Sequence, residues 1–115
     1  MGYLGEFEQL ILFALLQLGE EAYGVSIREA IERRTGRLVS SGAIYTTLGR
    51  LEERGLVRSR VGEPVSGRPG RPRKYYALRP AGARALREAY ETIQAMAGGL
   101  LPRLDELARA EAGEA

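Results

Sequence analysis

Cysteine, histidine and tryptophan are all missing from the 115 residues, and Lys74 is the single lysine among 17 basic side chains. Without cysteine there is no disulfide, no thiolate ligand and no thiol nucleophile. Without histidine there is no imidazole metal site and no Ser-His triad. A chain free of cysteine suits a reducing compartment. Long apolar runs are missing too: residues 10–16 are too few to cross a bilayer, and Glu6 and Glu8 stand where a signal peptide would carry positive charge. The expectation is a cytoplasmic protein without membrane contact. Catalysis is left with carboxylates, tyrosine, serine and Lys74, and the acidic pairs Glu20-Glu21 and Glu52-Glu53 are sequence neighbours that read as surface. We therefore expect no enzyme, no cofactor and no metal.

What is present is one domain's worth of chain, 44% hydrophobic, with a formal charge of only +2. That charge is unevenly placed. Within residues 58–74, Arg58, Arg60, Arg68, Arg71, Arg73 and Lys74 stand against Glu63 alone, six cations to one anion or +5, so the rest of the chain carries −3. A basic stripe on a nearly neutral chain is a directed electrostatic feature of the kind that meets phosphates. A solvated loop is the plainer alternative. Arginine in 16 of 17 basic positions suits phosphate and groove contacts, and equally suits a bias in genome base composition.

Residues 6–18 read as a helix closed by Gly19, with residues 10–16 apolar around its whole circumference. Such a helix needs burial on more than one side, so one face is expected on the core and another on a second chain, unless its own monomer sandwiches it. Residues 23–35 form a second helix, with Val25, Ile27, Ala30 and Ile31 inward, Gly36 as its stop and Gly24 as a close-packing position. A third starts at Ser40 or Ser41, either of which can cap it, and turns Ile44, Leu48 and Leu51 inward at i, i+4 and i+7. Its opposite face is small and polar: Gly42, Ala43, Thr46, Gly49, Arg50 and Glu53. Small residues permit close approach to a DNA groove, while hydroxyls and arginine donate to bases or phosphates. Tyr45, at the flank, is either core or a phosphate contact.

Beyond Gly55, residues 56–61 and 74–78 alternate as the strands of a hairpin. The 12 residues between them hold three glycines and three prolines, and residues 68–74 resemble the Gly-Arg-Pro core of an AT-hook. Proline fixes an extended path, glycine lets the backbone sit deep, and the flanking arginines suit a narrow minor groove. Pro80 then opens a fourth helix. Leu86, Tyr90, Ile93, Ala97, Leu100, Leu104 and Leu107 follow at alternating spacings of four and three, a heptad seam of the kind that pairs helices. Gly98, Gly99 and Pro102 predict a kink or break in it, and residues from about Glu111 are expected to fray.

Together these segments resemble the PadR family of transcriptional regulators. The resemblance rests on residues 10–18, Tyr23-Gly24, residues 42–45 and 48–52, Gly55-Leu56-Val57, residues 70–78 and Pro80-Ala81-Gly82, in family order over nearly the whole chain. It implies a mainly α fold with a small β-hairpin: a winged helix-turn-helix over residues 1–79, then a short C-terminal dimerisation region, residues 80–115, packed with the first helix of the partner chain. It also implies a homodimer that represses at pseudo-palindromic double-stranded DNA. The expected DNA contacts are Ser40, Ser41, Gly42, Tyr45, Thr46, Thr47 and Arg50 on the reading helix, and Arg58, Arg68, Arg71, Arg73 and Lys74 in the wing. The expected dimer contacts are Phe7, Leu10, Ile11, Leu86, Tyr90, Ile93, Ala97, Leu100, Leu104 and Leu107. Some family members stack small aromatic effectors on tryptophans between the subunits. With no tryptophan that pocket does not carry over, and Phe7, Phe13 and Tyr90 read either as the lining of a small-molecule effector site at the dimer seam or as ordinary core. Two other readings stay open: an architectural binder that prefers A·T-rich DNA, and a protein–protein adaptor that uses the heptad seam.

Overall fold

The computed structural model describes residues 3–63 and 72–114. In chain order it has α1 (Glu6–Leu18), a 3-10 turn (Gly19–Glu21), α2 (Gly24–Thr35), α3 (Ser41–Glu53), β1 (Val57–Val61), β2 (Lys74–Leu78), α4 (Pro80–Ala97) and α5 (Leu101–Glu114). The fold is thus mostly helical with a two-stranded antiparallel hairpin. The first helix and the second strand have the bounds expected from sequence. The hairpin's first strand and the second helix each begin one residue later than expected, at Val57 and Gly24.

Local chemistry sets the helix starts. The Ser40 hydroxyl accepts from the Ala43 N–H at 3.1 Å, so Ser40 is the cap of α3. Glu8 reaches back to the Gly5 N–H at 2.7 Å, and the Ser26 hydroxyl accepts from the Tyr23 N–H at 3.0 Å. Pro80 opens α4 at a position where its missing N–H costs nothing.

The core lies where α1, α2 and α3 meet, closed on one side by the hairpin. Ile11, Leu12, Ile27, Ile44, Leu48, Leu51 and Val57 are fully buried. Each stabilises the fold by roughly 1.5–3 kcal/mol relative to exposure. Ile11 is 0% exposed and Leu86 3% exposed within the single chain. Both are closed off within their own subunit and leave little surface for the dimer contact expected above: Ile11 faces its own core, and the first turns of α4 bring Leu86 into that core beside α1.

β1 and β2 pair from Val57↔Leu78 to Val61↔Lys74. Tyr76 is the β2 residue that turns into the core, as Val57 does from β1, and its N–H donates to the Ala22 carbonyl at 2.9 Å. Burial pushes the Tyr76 phenol above its ordinary value near 10, with Glu52 adding to the rise. A phenol whose folded value is raised contributes stability that is present below about pH 10 and lost as pH climbs through the folded value. Thermal melts from pH 8 to 11 will therefore show a steeper alkaline fall for the native chain than for Tyr76→Phe. Parallel falls would remove Tyr76 from the account.

The seam breaks where expected. α4 stops at Ala97, Gly99 turns with φ 79°, the Leu100 N–H donates to the Ala97 carbonyl at 2.9 Å, and Pro102 is the second residue of α5. α5 runs on through Glu114, past the point where fraying was expected. Residues 101–110 are all exposed. The outer half of α4 is exposed as well, with Ile93 at 62% and Met96 at 76%. Among the described residues no helix is long and apolar enough to cross a membrane.

Candidate nucleic-acid interface

The face of α3 turned away from the core carries the small polar set seen in the sequence. Ser41, Gly42, Ala43, Thr46 and Arg50 are exposed, and beyond the adjoining stretch of the helix itself nothing lies within 4 Å of where a side chain at Gly42 or Gly49 would begin. This face borders a groove of about 610 Å³ whose other wall is the N-terminal end of α1, residues 5–8. Two acids stand on that wall, and each has a cationic partner: Glu6 pairs with Arg37 at 3.0 Å and Glu8 with Arg54 at 3.3 Å. The pairing matters because bare carboxylates beside α3 would repel a phosphate backbone.

Thr47 departs from the expected set. It is 6% exposed and lies on the inward side with Ile44, Leu48 and Leu51. Its side chain packs with the core and reaches the surface only as part of the lining of the groove beside α3. Ser40, although exposed, has its hydroxyl engaged by the cap. Tyr45 resolves into neither expected role alone. It is half exposed, and its ring end rests on the backbone of Gly24, where a Cβ would collide with the hydroxyl and ring. Gly24 is therefore the close-packing position that the sequence indicated, and its partner is Tyr45.

In the wing, Arg58, Arg73 and Lys74 are exposed, while Arg68, Arg71 and the AT-hook-like stretch up to residue 71 lie outside the described residues. The exposed cations are not all loose. The Arg73 guanidinium lies 4.3 Å from the centre of the Tyr23 ring, and Arg60 lies 4.5 Å from the centre of the Tyr75 ring. The two rings meet edge to face at 5.6 Å. The Lys74 ammonium is 5.8 Å from the Tyr76 ring centre. A side-chain hydrogen bond with Tyr75, then the Tyr23 ring oxygen, hold Arg73 protonated even more firmly than usual. Tyr23 and Tyr75 were not foreseen as part of this interface. The Tyr23-Gly24 pair and the strand Lys74–Leu78 were each visible, but not that they meet.

A model of the "Transcriptional regulator PadR-like family" matches residues 11–88. The chain belongs to the PadR-like family. PadR-family proteins are DNA-binding transcriptional regulators, not enzymes. Among solved structures, the chain is similar to a PadR-family regulator from Eggerthella lenta, with 29% identity, 86% of each chain covered and a TM-score of 0.64. It is also similar to a PadR-like regulator from Bacillus cereus, with 26% identity, 85% of this chain and 89% of that one covered and a TM-score of 0.66. A PadR-family regulator from Clostridium difficile shares its fold, with 24% identity, 87% and 99% coverage and a TM-score of 0.71. No curated protein matches the chain by sequence.

Of the residues expected at a PadR dimer seam, Tyr90, Ile93, Ala97, Leu100, Leu104 and Leu107 are exposed along α4 and α5, and Leu10 is half-buried on α1. Met96, Leu101 and Leu16 add to the exposed apolar surface and were not anticipated, because they fall outside the four-three spacing or at the end of α1. Phe13 and Tyr90 meet edge to face at 6.3 Å, whereas Phe7 lines the groove beside α3. The three aromatics therefore do not form one lining.

Proposed function

We propose that this PadR-family chain is a cytoplasmic, homodimeric repressor that reads a pseudo-palindromic operator. In this reading α3 enters the major groove and the wing follows the adjacent backbone and minor groove. The observation that supports it best is the outward face of α3, where Gly42, Ala43 and Thr46 leave room for close approach beside an exposed Arg50. The seam over residues 80–115 supports the dimer, because α4 and α5 leave Ile93, Met96, Leu100, Leu104 and Leu107 uncovered in one chain. So many large apolar side chains left uncovered on successive helix turns favour an interaction site. Two copies would set their reading helices about 34–36 Å apart, one turn of DNA.

The test is fluorescence anisotropy over a salt series, on a duplex selected from a random pool and on a scrambled duplex of equal A·T content. A gap of about 4 kcal/mol or more is expected between them. Similar, strongly salt-dependent binding to both would replace the repressor with an architectural clamp. No binding at low salt would make the chain an adaptor. Arg50→Ala is expected to change which sequence the pool yields, by about 1–3 kcal/mol at the affected base pair. An unchanged preference would take Arg50 out of base reading.

A further inference from the structure

Tyr23 sits where the wing, the start of α2 and the reading helix converge. The inner half of the hairpin is anchored by the core through Val57 and Tyr76. Its outer half is not: Arg60, Val61 and Lys74 are exposed. A two-stranded hairpin has little stability of its own, so its outer pairs need support from elsewhere. Among the described residues the Arg60 guanidinium donates to the Glu20 carbonyl at 3.4 Å, and the other support gathers at Tyr23. Tyr75, opposite Arg60 in the ladder, forms a bridge with Tyr23 and meets its ring edge to face. Arg73, the residue before the second strand, lays its guanidinium on the same Tyr23 ring. The Arg73 carbonyl also accepts from the Gly62 N–H at 2.7 Å, so the ring holds the very pair that closes the outer end. The next residue, Gly24, carries Tyr45 of α3 on its backbone. One dipeptide thus joins the wing base to the reading helix.

We infer that Tyr23 is a positioning residue for DNA binding: it clasps Arg73 and Tyr75 and fixes the angle of the wing to α3. Arg73 then acts as a strut of the wing and not as one more phosphate contact. The inference rests on the DNA-binding reading above, but half of its test does not depend on it.

Tyr23→Leu removes no charge, yet it is expected to weaken operator binding by about tenfold, the scale of a lost ring pair and a lost cation–ring contact together. The slope of log affinity against log salt will fall with it, because displaced wing cations no longer meet phosphates. Tyr23→Phe keeps the ring and restores both. Arg73→Gln placed in the Tyr23→Leu chain costs little more, whereas independent phosphate contacts would add. Amide hydrogen exchange supplies the reading without DNA. In Tyr23→Leu the Gly62 and Tyr76 amides will exchange faster while those of Ile11 and Leu48 keep their protection. Unchanged exchange at Gly62, additive losses in the double variant, or faster exchange with unaltered affinity and slope would each overturn the inference. If the native chain binds no duplex, the repressor reading fails, and the exchange data alone decide whether Tyr23 holds the wing.

Discussion

A chain carrying Ile93→Glu and Leu104→Glu will run as a folded monomer and lose about a thousandfold or more in operator affinity, the gap that separates specific from non-specific binding. Both side chains are more than half exposed in the single chain, and the regions that carry them are outside the buried core. The substitutions therefore leave the core of one subunit undisturbed. Their effect appears only if a second copy covers them, since closing two carboxylates into an apolar seam costs several kcal/mol apiece. Light scattering after size exclusion reads the mass, circular dichroism checks that the helices persist, and anisotropy reads the binding. A variant that stays dimeric would move the interface off this seam. A monomer with undiminished affinity would show that each reading helix works alone.

The second large effect is on stability. Gly82→Ala is expected to lower it by about 1–3 kcal/mol, the usual cost of forcing a methyl into a filled site. A Cβ at this position of α4 would land on the Leu56 carbonyl, with the Leu78 side chain close behind. That carbonyl accepts from the Arg79 N–H at 3.0 Å, so moving it breaks the bond that ties the end of the hairpin to the start of α4. The Leu78 side chain can turn aside, but the nearest group is backbone and cannot. Gly42→Ala is the contrast: its Cβ meets nothing within 4 Å. Alanine there will hold or raise stability by up to about 1 kcal/mol, while it places a methyl on the face of α3 proposed to meet DNA. Melts of the three chains at one protein concentration compare them, with roughly 4–8 °C expected per kcal/mol for a domain near this size. Equal melting temperatures for Gly82→Ala and the native chain would mean that the helix and hairpin slide apart at no cost.

Much of this architecture was legible in the residues because its causes are local. Ser40 punctuates a helix through its hydroxyl, Gly36 and Pro80 through their backbone, and the Gly98, Gly99 and Pro102 cluster foretold the break between α4 and α5. Thr47 shows where resemblance and periodicity disagreed. Beside Thr46 it reads as a second hydroxyl for DNA. Yet it lies three residues after Ile44 and four before Leu51, which is the buried stripe, and periodicity had the better claim. Ile11 and Leu86 show a different limit. A helix apolar all round does not reveal which side is core and which is seam, and a heptad pattern continues unbroken from the buried turn at Leu86 into the exposed turns beyond it. The Tyr23–Arg73 and Tyr75–Arg60 contacts lay furthest out of reach. Tyr23 and Arg73 are 50 positions apart, and only the folded chain brings the ring to the guanidinium.

The last helix carries a consequence for how much of this protein a cell must hold. A helix of fourteen residues is too short to persist in water by propensity alone, and residues 101–110 of this one are all exposed in their own chain. Their order must be supplied by whatever covers Leu101, Leu104 and Leu107. If that cover is a second copy, the helix content of α5 depends on dilution, and competence to bind DNA becomes a steep function of copy number. For the repressor proposed above, newly made chains at low abundance would then leave their target genes open, and would close them only after enough molecules had accumulated to fold one another's ends.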